Sequence, residues 1–323
     1  MKNTLVSIIV PNYNHSQFLK LRLRSVFNQT YQNFEVILLD DSSSDGSMDI
    51  LLDYRSHPKV SHCIFNEDNS GSTFKQWSKG IGLAKGEFVW IAESDDYCEV
   101  TFLEKLLKLH SADSGIALSF CQSHRMNADG KVTGNWITHT SKYEENIFRG
   151  NFKMNGSEFI EKYLIHKNVI PNVSAVLFKK EELIKITPLV FNPFMKYNAD
   201  WVYYVQLLCN SKVAFLAETL NFFRYHESSV IAKAGGESGW LRIFKMELET
   251  RAEMLGFIKK CNPGNYKRIK DQAKIGNNRL YWLIAKSFIN RGSYLRGLGV
   301  VWNKPRTLKK IVKHTVLRIM RDD

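Results

Sequence analysis

The first 122 residues alternate between two hydrophobic periods, and that alternation constrains the fold more than any other feature of the chain. Residues 5–10 (LVSIIV) form a short apolar run stopped by Pro11, the pattern of a buried strand. Residues 18–28 then place Phe18, Leu19, Leu21, Leu23, Val26 and Phe27 at helical spacing. The same reading predicts strands at 34–40, 60–65, 88–91 and 116–122, with helices at 47–54, 72–84 and 101–110 between them. Strands alternating with helices imply an α/β fold, Rossmann-like, with a mostly parallel sheet flanked by helices. In such a sheet ligands bind beyond the carboxyl ends of the strands.

The turns at those carboxyl ends are therefore informative. Pro11-Asn12-Tyr13-Asn14 comes after the first strand, Asp40-Asp41-Ser42-Ser43-Ser44-Asp45 after the second, Asn66-Glu67-Asp68-Asn69-Ser70-Gly71 after the third, and Glu93-Ser94-Asp95-Asp96 after the fourth. Polar and acidic residues gather on one edge. The adjacent carboxylates of Asp95 and Asp96 repel each other, which costs stability unless a cation or hydrogen-bond donors compensate. Two readings stand. Hard oxygen ligands suit Mg²⁺ or Mn²⁺ shared with phosphate oxygens; alternatively, the pair caps the helix that starts near Thr101. Asp40 and Asp41 pose the same choice, ligand contacts or a turn into the next helix. No GxGxxG follows the first strand and no GxxxxGK[ST] occurs anywhere, which disfavours dinucleotide dehydrogenases and P-loop ATPases.

Past residue 122 the pattern loosens. Asn127-Ala128-Asp129-Gly130 reads as a hairpin turn and 139–155 as a loop. Helices are predicted at 156–164, 179–186 and 199–209, strands at 175–178 and 213–220, a boundary at Ala234-Gly235-Gly236, and helices at 240–260, 266–288 and 308–320. The five cysteines are scattered without a CxxC pair and read as buried reduced thiols. No apolar run reaches the roughly 18 residues of a membrane span, and residues 5–10 are too short for a signal segment, so a cytoplasmic or peripheral protein is expected.

The formal charge of +13 is unevenly placed. Residues 1–235 hold 25 Lys/Arg and 25 Asp/Glu; residues 236–323 hold 20 and 7. Such asymmetry points to an anionic partner for the C-terminal part: a membrane surface, a lipid diphosphate or nucleic acid. Residues 304–321 (KPRTLKKIVKHTVLRIMR) put Leu308, Ile311, Val312, Val316 and Ile319 on one helical face, with Lys309, Lys310, Lys313 and Arg318 over much of the rest. That basic amphipathic helix either lies on an anionic leaflet or packs its apolar face on the protein. No nucleic-acid-binding module is present, and no nucleic-acid partner is expected.

The anchors Val6-Ser7-Ile8-Ile9-Val10-Pro11-Asn12-Tyr13-Asn14, the run from Phe34 through Asp40-Asp41 to Gly46, Asn69-Ser70-Gly71, Ala84-Lys85-Gly86-Glu87-Phe88 and Glu93-Ser94-Asp95-Asp96-Tyr97 resemble the family 2 glycosyltransferases, inverting enzymes of the GT-A fold. The resemblance spans roughly residues 5–230. It implies a GT-A catalytic domain over 1–235, with a nucleotide-sugar half at about 1–122 and an acceptor half at about 123–235, followed by a basic helical region over 236–323. It further implies that Pro11 and Tyr13 line the base pocket, that Asp41 accepts from the base, and that Asn69 and Gly71 lie near the nucleotide. Asp95 would hold the ribose or donor sugar, Asp96 and His226 the metal, Mn²⁺ or Mg²⁺, and Asp200 would be the catalytic base. Glu93 stands where the family often has Asp, and Asn198-Ala199 replace the acidic residue usual before the base. A helix N-cap is the competing reading of Asp200; Arg224 is read either as neutralising phosphate or as forming a surface salt bridge.

The implied reaction is a single displacement from a nucleotide-sugar, UDP-sugar by preference, onto an acceptor hydroxyl with inversion. A lipid-linked glycan in bacterial surface-polysaccharide or lipopolysaccharide synthesis, at the inner face of the cell membrane, is the expected setting. The alternatives are an inactive GT-A-like scaffold that binds nucleotide-sugar or membrane, and a nucleotidyltransferase.

Overall fold

The computed structural model describes residues 4–111, 113–141, 143, 146–187, 198–226 and 237–322. In chain order the elements are β1 (Val6–Asn12), α1 (Ser16–Phe27), β2 (Phe34–Asp40), α2 (Ser47–Arg55), β3 (Val60–Phe65), α3 (Thr73–Leu83), β4 (Phe88–Ile91), β5 (Tyr97–Cys98), α4 (Phe102–Ser111), β6 (Ile116–Met126), β7 (Val132–Asn135) and α5 (Ile137–Thr140). Next come β8 (Phe152–Asn155), α6 (Gly156–Phe159) running into a π turn at Ile160–Leu164, β9 (Val176–Lys179), α7 (Lys180–Ile184), α8 (Ala199–Leu208) and β10 (Lys212–Arg224). Four helices close the chain: α9 (Glu237–Cys261), α10 (Pro263–Asn290), α11 (Tyr294–Val301) and α12 (Pro305–Asp322). The proposed boundary at Ala234-Gly235-Gly236 lies outside the described residues.

The strands form one sheet in the order β3-β2-β1-β4-β9-β6-β10-β5, with β7 beside β6 and β8 beside β10. β3, β2, β1 and β4 pair in parallel, as the alternating periods require. β9 then enters antiparallel between β4 and β6, so β6 keeps the direction of the first four strands, and β10 runs parallel to it. The sheet is thus mostly parallel and mixed. Val6, Ile8, Ile9, Val10 and Val36–Leu39 are fully buried, because both faces of these strands are covered by helices.

Close packing at the far end of β1 rests on one glycine. A Cβ on Gly86 would lie 2.6 Å from the Ser7 backbone nitrogen and 2.7 Å from the Leu5 carbonyl. Gly86 N–H donates to Ser7 Oγ, which donates in turn to Glu35, and Glu35 also accepts from Lys85 N–H. The Ala84-Lys85-Gly86 motif therefore locks the sheet at the end away from the acidic turns.

The C-terminal helices divide. Met254 and Ile258 of α9 and Ile269 and Ala273 of α10 are buried in the same core as Trp201, Tyr204 and Phe215. Ala285 and Ile289 of α10, Val301 of α11 and Ile311 of α12 form a separate small core, with Leu308 packed against it. Part of the apolar face of α12 thus packs on protein, while Val312 is 45% exposed. The side chains of Val316, Arg318 and Ile319 lie outside the described residues. Among the described residues, no helix is long and apolar enough to cross a membrane.

Candidate active site

The turns after β1 and β2 interlock through small polar side chains. Asp40 accepts from Asn12 Nδ2 and from the Ser43 N–H and hydroxyl. Asn14 N–H donates to Ser43 Oγ, and Asn14 Oδ1 accepts from Ser44 N–H. Asn14 (φ 54°) and Ser42 (φ 64°) are held in left-handed backbone, an unusual conformation for residues with a Cβ. Asp45 accepts from Ser16 N–H at the start of α1 and from Ser47 at the start of α2. Asp40 and Asp45 are therefore structural, and they fix the surface on which Tyr13 stands 47% exposed beside buried Pro11.

Asp41 is the hub of the next turn. Its Oδ1 accepts from Asn66 Nδ2 (2.7 Å), Ser70 N–H (2.9 Å) and Gln76 Nε2 (2.7 Å), and its Oδ2 from Ser70 Oγ (2.7 Å). Oδ2 keeps a free lone pair. Asn69 uses both ends of its amide locally: Nδ2 donates to the Asp41 carbonyl and Oδ1 accepts from Gly71 N–H. Gly71 has φ +73°, which only glycine adopts without strain. Asn69 and Gly71 thus shape the turn around Asp41.

The Glu93-Ser94-Asp95-Asp96 turn sends its carboxylates in different directions. Asp96 points inward and is 1% exposed. It accepts from Asn172 Nδ2 at 2.5 Å and from the Arg224 N–H at 2.9 Å, with the Arg22 guanidinium 3.9 Å away. Burial, and then the charge of Asp95, push its carboxyl up to about 7. Asp95 faces the other way. Its Oδ2 lies 3.0 Å from His226 Nε2, and the ligand atoms of His15, Asp95 and His226 all fall within 4.8 Å of one another. Burial opposes ionisation of Asp95, but its hydrogen bond with His226 and the charges of His15 and His226 hold its carboxyl below the ordinary value. His15 Nδ1 shares a 2.8 Å hydrogen bond with Ser94 Oγ.

Neither Asp95 nor Asp96 caps α4. The N–H of Leu103, in its first turn, donates instead to Gln29 Oε1 at 2.9 Å. Arg224, a candidate phosphate ligand or surface salt bridge by sequence, is 3% exposed: its side chain donates to the carbonyls of Asp95, Asn127 and Ala128 and stacks over Phe18. It braces the turn. Glu93 accepts from Trp77 Nε1 (2.7 Å) and Thr73 Oγ1 (3.3 Å); burial, and then the charge of Asp95, push its carboxyl up to about 8.

Asp200 lies in the first turn of α8, beyond the N-cap residue Asn198, so it is not the N-cap. Its Oδ2 accepts from Asn168 Nδ2 at 3.1 Å and its Oδ1 from Trp201 N–H at 2.8 Å. Burial raises its carboxyl to about 6. One turn on, the Tyr204 hydroxyl is buried without a hydrogen-bond partner and feels the charges of both Asp200 and Glu93, which brings these two acids into one neighbourhood.

Four residues of this site escape a reading of the sequence. His15 follows the turn after β1 and is separated from His226 along the chain by every strand from β2 to β10, so no ligand spacing announces it. Asn168, Asn172 and Trp77 act through contacts between distant segments. Only the position of His15 on the acidic edge gives a signal.

A mostly parallel, mixed sheet flanked by helices, with its polar and acidic turns gathered on the carboxyl edge, has the architecture of the GT-A type. Residues 7–167 match the model of glycosyl transferase family 2. The chain is 26% identical over 238 residues to the glycosyltransferase GlyG of Streptococcus pneumoniae serotype 4, covering 70% of this chain and 73% of GlyG. It is 34% identical over 133 residues to the putative teichuronic acid biosynthesis glycosyltransferase TuaG of Bacillus subtilis, covering 41% of this chain and 52% of TuaG. Its fold is similar to that of S. aureus TarS 1–349 in complex with UDP-GlcNAc, with a TM-score of 0.59 at 16% identity over 90% of this chain and 88% of that one. The chain belongs to the family 2 glycosyltransferases.

Proposed function

We propose that this enzyme moves a sugar from a UDP-sugar to an acceptor hydroxyl with inversion, using Asp200 as the base. The observation that carries the reading is the His15–Asp95–His226 group, whose ligand atoms lie within 4.8 Å of one another on the turns at the sheet's carboxyl edge. Asp41 Oδ2 has the acceptor capacity an imide N–H of uracil requires, and exposed Tyr13 offers a stacking face. The binding of UDP-GlcNAc by the structurally similar TarS supports a UDP donor.

Asp95 and His226, with His15, fit a divalent cation, and the mixed imidazole and carboxylate set favours Mn²⁺ over Mg²⁺. Asp96, the residue expected from sequence to be the ligand, is better assigned to structure, because both its oxygens already accept from protein donors. Asp95 accordingly takes the metal role in place of the ribose or sugar. A cation held there supplies charge neutralisation for the departing diphosphate.

Asp200 removes the acceptor proton as the hydroxyl attacks the anomeric carbon, and Asn168 holds the carboxylate in orientation. The test is nucleotide release from UDP-, GDP- and dTDP-sugars with Mn²⁺ and an acceptor. Release from UDP-sugars alone supports the reading, and release from none in any acceptor mixture overturns it.

The setting we infer is assembly of a bacterial surface polysaccharide on a lipid-linked acceptor, as the name of TuaG suggests for that relative. A membrane contact through the C-terminal helices fits their basic surplus and the exposure of Leu295 (87%) and Trp302 (71%) on and beside α11. The shared core supports counting α9 and the first half of α10 with the catalytic unit of 1–235, leaving α11 and α12 as the peripheral part.

A further inference from the structure

Beyond the carboxylates lies a second polar constellation with the opposite charge. The Arg125 guanidinium, at the end of β6, sits 4.8 Å from the ring centroid of Trp136. Trp136 stacks on Phe223 of β10 (5.8 Å, 23°) and meets His139 edge-on (4.3 Å). His139 Nε2 is 3.0 Å from the Asn168 carbonyl, and Asn168 is the residue that donates to Asp200. The aromatic platform is therefore linked to the base through His139 and Asn168.

Three of its polar atoms lack protein partners. Trp136 is 9% exposed and its Nε1 is buried without a hydrogen bond; Arg125 Nε and Asn168 Oδ1 are likewise buried and unpartnered. Such groups are uncommon in native proteins and point to a ligand or water. Among the described residues no carboxylate lies within salt-bridge distance of Arg125, and its Nε donates to none of them. Burial first, then the charges of Lys167 and Arg125, bring His139 down to about 4. The local field is positive here, while Glu93, Asp95, Asp96 and Asp200 make the donor side acidic.

We propose that Arg125, Trp136 and Phe223 form an acceptor subsite for a sugar carrying an anionic group, a carboxylate or a phosphate. The guanidinium takes the anion in a charge-assisted hydrogen bond, the edge of Trp136 offers its unpartnered Nε1 to a sugar oxygen, and Phe223 supports the indole. This rests on the reading of Asp200 as the base, since it is proximity to that residue that makes the platform an acceptor site.

The test is direct binding to the full-length protein without donor or metal, read by tryptophan fluorescence and saturation-transfer NMR. The probes are methyl β-glucuronide, glucose 6-phosphate and methyl β-glucoside. The subsite predicts that one anionic probe binds at least about tenfold tighter than the neutral glucoside; which one does so separates a uronate from a phosphorylated glycan. Arg125→Gln erases the preference and Arg125→Lys retains most of it. Trp136→Phe keeps an aromatic ring, removes the N–H, and weakens all three probes. Equal binding of charged and neutral probes, or a preference that survives in a folded Arg125→Gln protein, overturns the subsite. Because no donor is present, loss of the UDP-sugar reading leaves this outcome interpretable, and the reverse holds for nucleotide release.

Discussion

Asp200→Asn is the perturbation on which the catalytic reading turns, because it moves activity and stability in opposite directions. The wild-type carboxyl is raised from 3.8 to about 6 by burial. As a general base it works only when ionised, so kcat/KM falls about tenfold per unit as pH drops below about 6, whereas an ordinary aspartate would hold its activity to about pH 4. Replacing it with Asn removes the base and costs roughly 10²–10⁴ in rate at every pH.

Stability runs the other way. A folded-state pKa raised above the unfolded value means the folded protein binds the proton more tightly, so the stabilising effect of protonation is present at low pH and lost as pH rises through about 6. Above that point the ionised, desolvated Asp200 destabilises the fold. A rise of about two units corresponds to about 3 kcal/mol, which we discount to about 1–2 kcal/mol because the carboxylate retains some contact with solvent. Asp200→Asn should therefore raise the melting temperature at pH 7.5 and leave it nearly unchanged at pH 4. Differential scanning fluorimetry at the two pH values, beside an acceptor-dependent transfer assay, measures both. An Asn variant that keeps full transfer activity, or is stabilised equally at both pH values, refutes the reasoning.

Three further expectations are independent of this one. Asp95→Ala and His15→Ala should each weaken Mn²⁺ binding at least about tenfold, as read by the electron paramagnetic resonance signal of free Mn²⁺, while Asp96→Ala should lower stability by about 2–4 kcal/mol by leaving Arg22 and the Arg224 N–H uncompensated; retained Mn²⁺ binding in Asp95→Ala would return the metal to Asp96. Asp41→Asn turns an acceptor of four protein hydrogen bonds into a partial donor, and should weaken UDP binding by calorimetry and cost about 1–3 kcal/mol in a denaturant melt. Reversing exposed Lys309, Lys310 and Lys313 to Glu should abolish sedimentation with anionic vesicles, at about 1 kcal/mol per lysine on the membrane, and unchanged sedimentation would place α12 against protein alone.

The legible part of this chain is the part encoded locally. β1 to β4 and the helices between them follow from runs of 4–12 residues whose periods differ, and the parallel order follows from their alternation. β5, β8 and α11 escape such a reading: β5 has two residues, the four of β8 (FKMN) lack the continuous apolar run that marks the four of β4 (FVWI), and the glycines of α11 break up its helical pattern. The place of β9 between β4 and β6 is a pairing across distant segments, invisible to any window.

The site divides along the same line. The acidic edge is readable from the turns, and Asp200 from its resemblance to a family position. Whether Asp95 or Asp96 turns into the interior is not, because neighbours in a turn point opposite ways. What draws Asp96 inward is Asn172 and the backbone of Arg224, far along the chain.

That inward turn has a consequence for how the enzyme comes into being. Asp96 is joined to a backbone amide 128 residues downstream, on the last strand to enter the sheet. Until β10 docks, a carboxylate destined for the interior has only part of its partners, and Asp95 has no fixed direction. Closing so long a loop is slow relative to local helix and strand formation. Donor-binding competence should thus appear late in refolding, together with the final strand, so that a chain still emerging during synthesis holds no nucleotide-sugar until its acceptor half is in place.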